Sequence, residues 1–261
     1  MRRLNILYVV MAAVCCLLIG CDEVDKADRL VYVKPAEVSR AVLIEDFTGQ
    51  RCLNCPNATE EIKHLQEQYG SDKVIAVGIH GGALAVYTNS KVKGLRTTLG
   101  DDYNTYWNVE AWPTGLVDRR GKPTTPDQWA GMVRTELEKT SPVELSVATL
   151  YDGSTRTLII DTHALSSQTM SGKLQLWLTE DAVVAPQQMP DNTMNYDYVH
   201  NHVLRAAING AWGEDITLKE GESTEVHHSI TLDEEWAAEN IAVVAFIYND
   251  QGVVQVVRSE E

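Results

Sequence analysis

The spacing of apolar positions along this chain changes character near residue 141. Upstream, short apolar runs alternate with helical stripes. Ala41 to Phe47 is apolar except for Glu45 and Asp46 and predicts a buried strand. In residues 57–69, Ala58, Ile62, Leu65 and Tyr69 fall on one helical face, and Gly70 follows as a C-terminal cap. Val74 to Ile79 predicts a second buried strand, ending at His80-Gly81-Gly82. Asn89-Ser90 predicts the start of a helix through Leu99, and Asp101-Asp102 the start of another through Trp107. Thr114 to Asp118 predicts a third strand, Arg119 to Lys122 a turn, and a short fourth strand beyond it. Thr125-Pro126 opens a helix whose buried stripe is Trp129, Val133 and Leu137. Strand and helix signals in alternation argue for a mixed α/β layer.

Downstream of Ser141 the helical period disappears. Residues 143–150, 155–163, 173–179, 199–207, 224–232, 241–248 and 252–258 predict strands, with strict alternation at Leu174, Leu176 and Leu178. Asp152-Gly153, Asn209-Gly210 and Gln251-Gly252 supply turn signals between them. Strands of this number with few helices predict an all-β antiparallel sandwich, Ig-like in architecture. The boundary falls at Ser141-Pro142, giving domains at residues 39–140 and 141–261.

The N-terminus carries targeting information. Arg2 and Arg3 precede Ile6 to Ile19, an apolar stretch shorter than the roughly 20 residues a spanning helix needs. It ends in Leu18-Ile19-Gly20-Cys21, which resembles the lipobox of bacterial lipoproteins. That resemblance implies a signal peptide at 1–20, lipidation of Cys21 and a polar tether at 21–38, with the membrane reached through lipid. Asp22-Glu23-Val24-Asp25-Lys26 is similar to acidic tags that send some lipoproteins to the cell surface. The formal charge is −15 and no basic stripe exists, which argues against nucleic acid as a partner.

The chain has five cysteines. Cys15 and Cys16 would leave with the signal and Cys21 would take lipid. Cys52 and Cys55 remain, in the form Cys-Leu-Asn-Cys. With no second Cys pair, zinc is not expected, and no metal site is assigned. In an exported protein the pair reads as redox chemistry, a redox-active disulfide and no other cofactor. It lies where a strand and loop enter a helix. Unpaired N–H groups there stabilise a thiolate and raise its reactive fraction. Cys52 is the candidate nucleophile and Cys55 the resolving thiol.

A strand, a loop and Cys-x-x-Cys at a helix start resemble the thioredoxin fold. The resemblance implies that Asp46, six residues before Cys52, is a buried proton acceptor. It implies that Trp112-Pro113-Thr114 forms a cis-proline loop that holds substrate backbone against the Cys pair. Arg51 before the motif and Leu-Asn within it depart from the common thioredoxin pattern. The run from Leu43 to Pro56 is also similar to the signature of a lipoprotein family named after outer membrane protein twenty-eight. So are Tyr198-Val199-His200-Asn201-His202-Val203-Leu204-Arg205 and Trp212-Gly213-Glu214. That family implies an α/β thioredoxin-like domain, a C-terminal β-sandwich and a lipid anchor in the outer membrane, on its periplasmic face or at the cell surface.

Other side chains weigh less. His200 and His202 alternate on a strand but lack a third ligand nearby, so surface or packing roles are expected. His80 ends a strand near the expected Cys edge, as a loop histidine or a tuner of the thiol. Tyr103, Tyr106, Trp107 and Trp112 read mainly as core, with any exposed subset a peptide-binding wall beside Cys52. The leading expectation is a lipid-anchored thiol–disulfide oxidoreductase or isomerase acting on exported or surface proteins and peptides. The alternative is a surface binding or adhesion lipoprotein in which the Cys pair is a structural disulfide. Burial of Cys52 in the folded chain decides against the enzyme.

Overall fold

The structure, a computed structural model, describes residues 32–259. The signal segment, Cys21 and the acidic tag lie outside the described residues. Residues from Lys34 onward form one compact unit.

Three main strands and three α-helices make up the first half. Strand β1 (Val42–Thr48) is buried along its whole length, as its apolar run requires. It pairs in parallel with β2 (Val74–His80), in register from Val42↔Val74 to Thr48↔His80. Helix α1 (Cys55–Tyr69) connects them. Its Ala58, Ile62 and Leu65 pack with Val42, Ile44, Val74 and Ala76, which is the face the helical spacing predicted. Strand β3 (Thr114–Val117) runs antiparallel on the other side of β1. Helix α2 (Thr98–Tyr106) precedes it, capped by Thr97 Oγ1 accepting from Gly100 N at 2.9 Å. Helix α3 (Trp129–Leu137) adds Trp129 and Val133 to the core beneath α1.

The second half supplies β4 (Val143–Asp152), β5 (Thr157–Ser166), β6 (Met170–Glu180), β7 (Val203–Ala207), β8 (Glu214–Leu218), β9 (Ser223–Thr231), β10 (Ile241–Asn249) and β11 (Gly252–Arg258). Strands β9, β5 and β4 form a three-stranded antiparallel sheet. The others do not form a second closed unit. They continue the first-half sheet in the order β11-β10-β6-β7-β2-β1-β3, with β8 beside β6. The join is the parallel contact of β7 with β2, where Gly78 N donates to His202 O at 2.8 Å.

Period-2 alternation explains how one sheet serves two cores. Leu174, Leu176 and Leu178 of β6 and Val243, Ala245 and Ile247 of β10 face β4 and β5. Trp177, Val244 and Phe246 point the other way and meet Leu43, Phe47, Ile79 and Tyr103. The sheet curls until its outer strands approach at Asp118, whose carbonyl accepts from Val253 N at 2.8 Å. Arg40 seals that closure, 2.7 Å from Asp118 Oδ2. Burial still pushes the Asp118 carboxyl up to about 6.

The expected fold class is therefore corrected. The chain is not an α/β thioredoxin-like domain followed by an independent Ig-like antiparallel sandwich. It is mostly β, 44% strand against 17% helix, and its main sheet and one of its two main cores draw on both halves. Local periodicity reports which residues are strands, and not which distant strand each one joins. Two local readings also change. Residues 89–97 are not helical, because Asn89 Oδ1 accepts from Lys91 N at 2.9 Å and so holds a turn. Residues 199–207 split at His202, which sits at φ 57°.

Candidate functional site

The residues expected to carry chemistry sit at the end of β1 and the start of α1. The loop from Gly49 to Asn54 leaves the strand, and Pro56 fits the first helical turn, where its missing N–H is no loss. Cys52 and Cys55 are joined by a disulfide, with Cα atoms 5.4 Å apart. Both are buried, at 1% and 2% exposure. Thiol–disulfide exchange needs a sulfur that an incoming thiolate can reach in line, and this burial gives Cys52 little such access.

Two distant segments cover the loop. Gln187 Nε2 donates to Cys52 O at 2.9 Å and to Gln188 O at 3.0 Å. Gln50 donates to Lys93 O and Pro186 O, both at 3.0 Å, and accepts from Leu95 N at 2.8 Å. Arg51 N donates to Leu84 O at 2.9 Å. A Cβ on Gly49 would lie 2.5 Å from the Leu84 carbonyl carbon, so the chain at 84–85 rests directly on the loop. Arg51 and Leu53 point to solvent, while the sulfurs do not.

Behind the disulfide lies a small chamber of about 30 Å³, lined by Asp46, Cys55, His80, Gln187, Tyr198 and His200 among others. Asp46 is buried, its Oδ1 has no hydrogen-bond partner, and burial pushes its carboxyl up to about 7. His80 and His200 meet edge to face with ring centroids 5.5 Å apart. Burial lowers both, His80 well below the ordinary imidazole range and His200 to about 4, so both are neutral at pH 7. The arrangement stores unpaired polar groups against an oxidised Cys pair. Among the described residues, no three His, Cys, Asp or Glu side chains are arranged to hold a metal ion.

The residues expected to hold substrate open β3, where Thr114 pairs with Phe47 of β1. The Trp112–Pro113 peptide is cis. Trp112 Nε1 donates to Asn104 Oδ1 at 3.1 Å, and its ring lies over Gly82, where a Cβ would approach it to 2.3 Å. Pro113 and Thr114 line a separate cavity of about 590 Å³ with Tyr106, Trp107 and Lys122, and neither cysteine reaches it. The aromatic cluster does not form a wall beside Cys52. Tyr103 is core, and Tyr106 packs against Trp107 and Trp212.

Sequence reasoning missed the clamp formed by Gln50 and Gln187. It also missed the buried ion pair of Glu45 with Arg119, whose Nε–Oε1 distance is 2.6 Å. The second had a signal: a glutamate inside an all-buried strand needs a cation. The glutamines had none.

A family model described as Outer membrane protein Omp28 matches residues 100–260. Among solved structures, HBP35 of Porphyromonas gingivalis aligns at 15% identity with a TM-score of 0.67, over 86% of this chain and 76% of its own. A protein of Agrobacterium tumefaciens aligns at 14% identity and a TM-score of 0.49, over 85% of this chain and 95% of its own. A domain of the outer membrane lipoprotein Omp28 from Porphyromonas gingivalis aligns at 20% identity and a TM-score of 0.33, over 46% of this chain and 100% of its own. No curated protein matches the chain. The likeness to HBP35 bears on the fold alone, and it extends over strands from both halves of the main sheet.

Proposed function

The chain belongs to the outer membrane protein Omp28 family and is a lipid-anchored protein of the outer membrane; on that premise we propose that it is a binding lipoprotein, not an enzyme. Cys21 carries the lipid, residues 21–38 tether the folded unit, and exported or surface molecules are its partners. The Cys52–Cys55 disulfide is structural. It ties the β1 loop to the first turn of α1 and fixes the backbone that Gln187 and Gln50 then cover. The observation that carries this reading is the 1% exposure of Cys52.

A second reading, disulfide exchange with exported proteins, draws support from one feature. Asp46 shares the chamber with Cys55 and holds its proton near neutrality. For that reading to hold, the segments at 84–95 and 186–188 would have to leave the loop.

The test is turnover of a disulfide substrate such as insulin, with dithiothreitol as reductant and the full-length protein in detergent. The binding reading expects wild type and Cys52→Ser to match the uncatalysed rate. Catalysis by wild type that Cys52→Ser abolishes would establish the enzyme. Cys21→Ser should move the protein from the membrane to the soluble fraction.

A further inference from the structure

At the C-terminal end of α2 the surface forms a saddle between two cavities. Tyr106 and Trp107 stand on its ridge, and Gly121 lies beside them. One cavity, of about 590 Å³, falls to the side of Pro113 and Lys122. A second, of about 620 Å³, falls to the side of Trp212, Tyr248 and Lys173. The two share Tyr106, Trp107 and Gly121, so together they form one continuous groove. Each is in the size range of small-ligand sites.

We propose that this saddle binds an uncharged oligosaccharide, with one sugar ring seated on each side of the ridge. The aromatic faces are the first argument. Tyr106 is 64% exposed, so part of its ring is open to solvent above the groove. It lies 4.2 Å from Trp212 and 5.1 Å from Trp107, centroid to centroid. An aromatic face is electron-rich and attracts the polarised C–H groups of a pyranose face, while the sugar's hydroxyls spread outward in the ring plane. The groove supplies partners at that level: Asn108, Glu110 and Lys122 on one side, Lys173, Asn249 and Asp250 on the other. They include both donors and acceptors, as hydroxyls require.

Charge is the second argument, and it speaks against an anion. Arg119 lies at the floor of the second cavity, but its Nε is committed to Glu45 at 2.6 Å and its guanidinium is enclosed by Trp177, Trp212, Phe246 and Tyr248. Lys173 is 2.7 Å from Asp215. Lys122 shares its side of the groove with Glu110. Acids therefore stand near each of these cations, and the two Arg119 nitrogens without a partner are buried away from solvent, so the groove presents a mixed field and not a concentrated positive one. The third argument is rigidity. Trp107, Trp212 and Tyr248 pack on the main core, and the Tyr248 hydroxyl donates to Trp212 O at 2.7 Å. A platform already in place loses little entropy on binding. The groove contains neither cysteine, so the proposal stands apart from the state of the disulfide.

The test is calorimetry and tryptophan fluorescence on the full-length protein in detergent. The probes are maltohexaose, cellohexaose and N-acetylchitohexaose, set against a hexa-uronate and a proline-rich peptide. At least one uncharged hexamer should bind and perturb tryptophan emission. Tyr106→Ala should weaken that binding about tenfold, a loss typical of a contact at the centre of a site. Tyr106→Trp should restore it, and Tyr196→Ala, at an exposed tyrosine outside the groove, should leave it unchanged. No binding by any of the three hexamers, or binding only of the uronate or the peptide, would overturn the proposal. So would sugar binding that survives Tyr106→Ala.

Discussion

The disulfide loop and the aromatic saddle differ in how sequence relates to surface. The loop carries the motif that attracts notice, Cys-Leu-Asn-Cys at a helix start, and the fold closes over it. Gln187 and Gln50 use their amides to cover it, and an unpaired carboxyl and two neutral imidazoles are buried behind it. The saddle takes in Pro113, Thr114 and Trp212 from motifs of the sequence, but no reactive pattern like the Cys pair. Its residues come from positions 106–111, 113–114, 119, 121–123, 125, 173, 212 and 248–250, and they line cavities that are open at the surface. A reactive residue type announces chemistry only if solvent reaches it. An accessible concave surface announces binding whether or not its residues form a pattern.

The sharpest way to break that comparison is beneath the saddle, where charge is buried as deeply as at the loop. Arg119→Met leaves Glu45 uncompensated in a fully buried strand, and should cost about 3–5 kcal/mol in urea unfolding. The double variant with Glu45→Met should recover much of that loss. If the single variant is as stable as wild type, the ion pair does not set the floor of the saddle.

The next effect belongs to the chamber behind the disulfide. Asp46 has its carboxyl raised from 3.8 to about 7, so the native state binds more protons than the unfolded state between those values. Stability contributed by the protonated form is lost as pH rises through that window. Asp46→Asn should therefore stabilise at pH 8 by roughly 2–4 kcal/mol and give no gain at pH 3.5. His200 acts with the opposite sign. Its lowered value means that stability is lost as pH falls from 6.5 towards about 4, and His200→Gln should flatten that limb of a stability–pH curve. A gain from Asp46→Asn that does not change with pH would show that the carboxyl is not buried as described.

Much of this was legible in the sequence, and the remainder shares one cause. The strand at Ala41–Phe47, the stripe of Ala58, Ile62 and Leu65, and the alternation of Leu174, Leu176 and Leu178 were readable because burial imposes a period on neighbouring residues. The β7–β2 join was not, since a single parallel contact at Val203↔Gly78 leaves no local trace. The cover over Cys52 was hidden for the same reason. Gln187 reaches it from 135 residues away and sits in a stretch with no periodic signal. Glu45 interrupts the apolar run from Ala41 to Phe47, and an acid there already implied a distant cation.

Smaller effects refine the contrast. Gln187→Ala leaves Cys52 O without its side-chain donor and should cost about 1–2 kcal/mol while hastening reduction of the disulfide. On the saddle's rim, Lys173→Met removes an exposed pair with Asp215 and should not move the urea midpoint measurably. A rim change as costly as the loop change would mean that the saddle's surface charges hold the fold, and that the two regions differ less than their exposure suggests.

The central claim is that the Cys52–Cys55 bond is sealed in the native chain. Its most direct test follows thiol release by dithiothreitol at increasing urea, beside the unfolding rate measured under the same conditions. A sealed bond should be reduced no faster than the chain opens, with the two rates rising together across the urea series. Rapid reduction in the absence of urea, independent of unfolding, would contradict the claim and return the loop to redox chemistry.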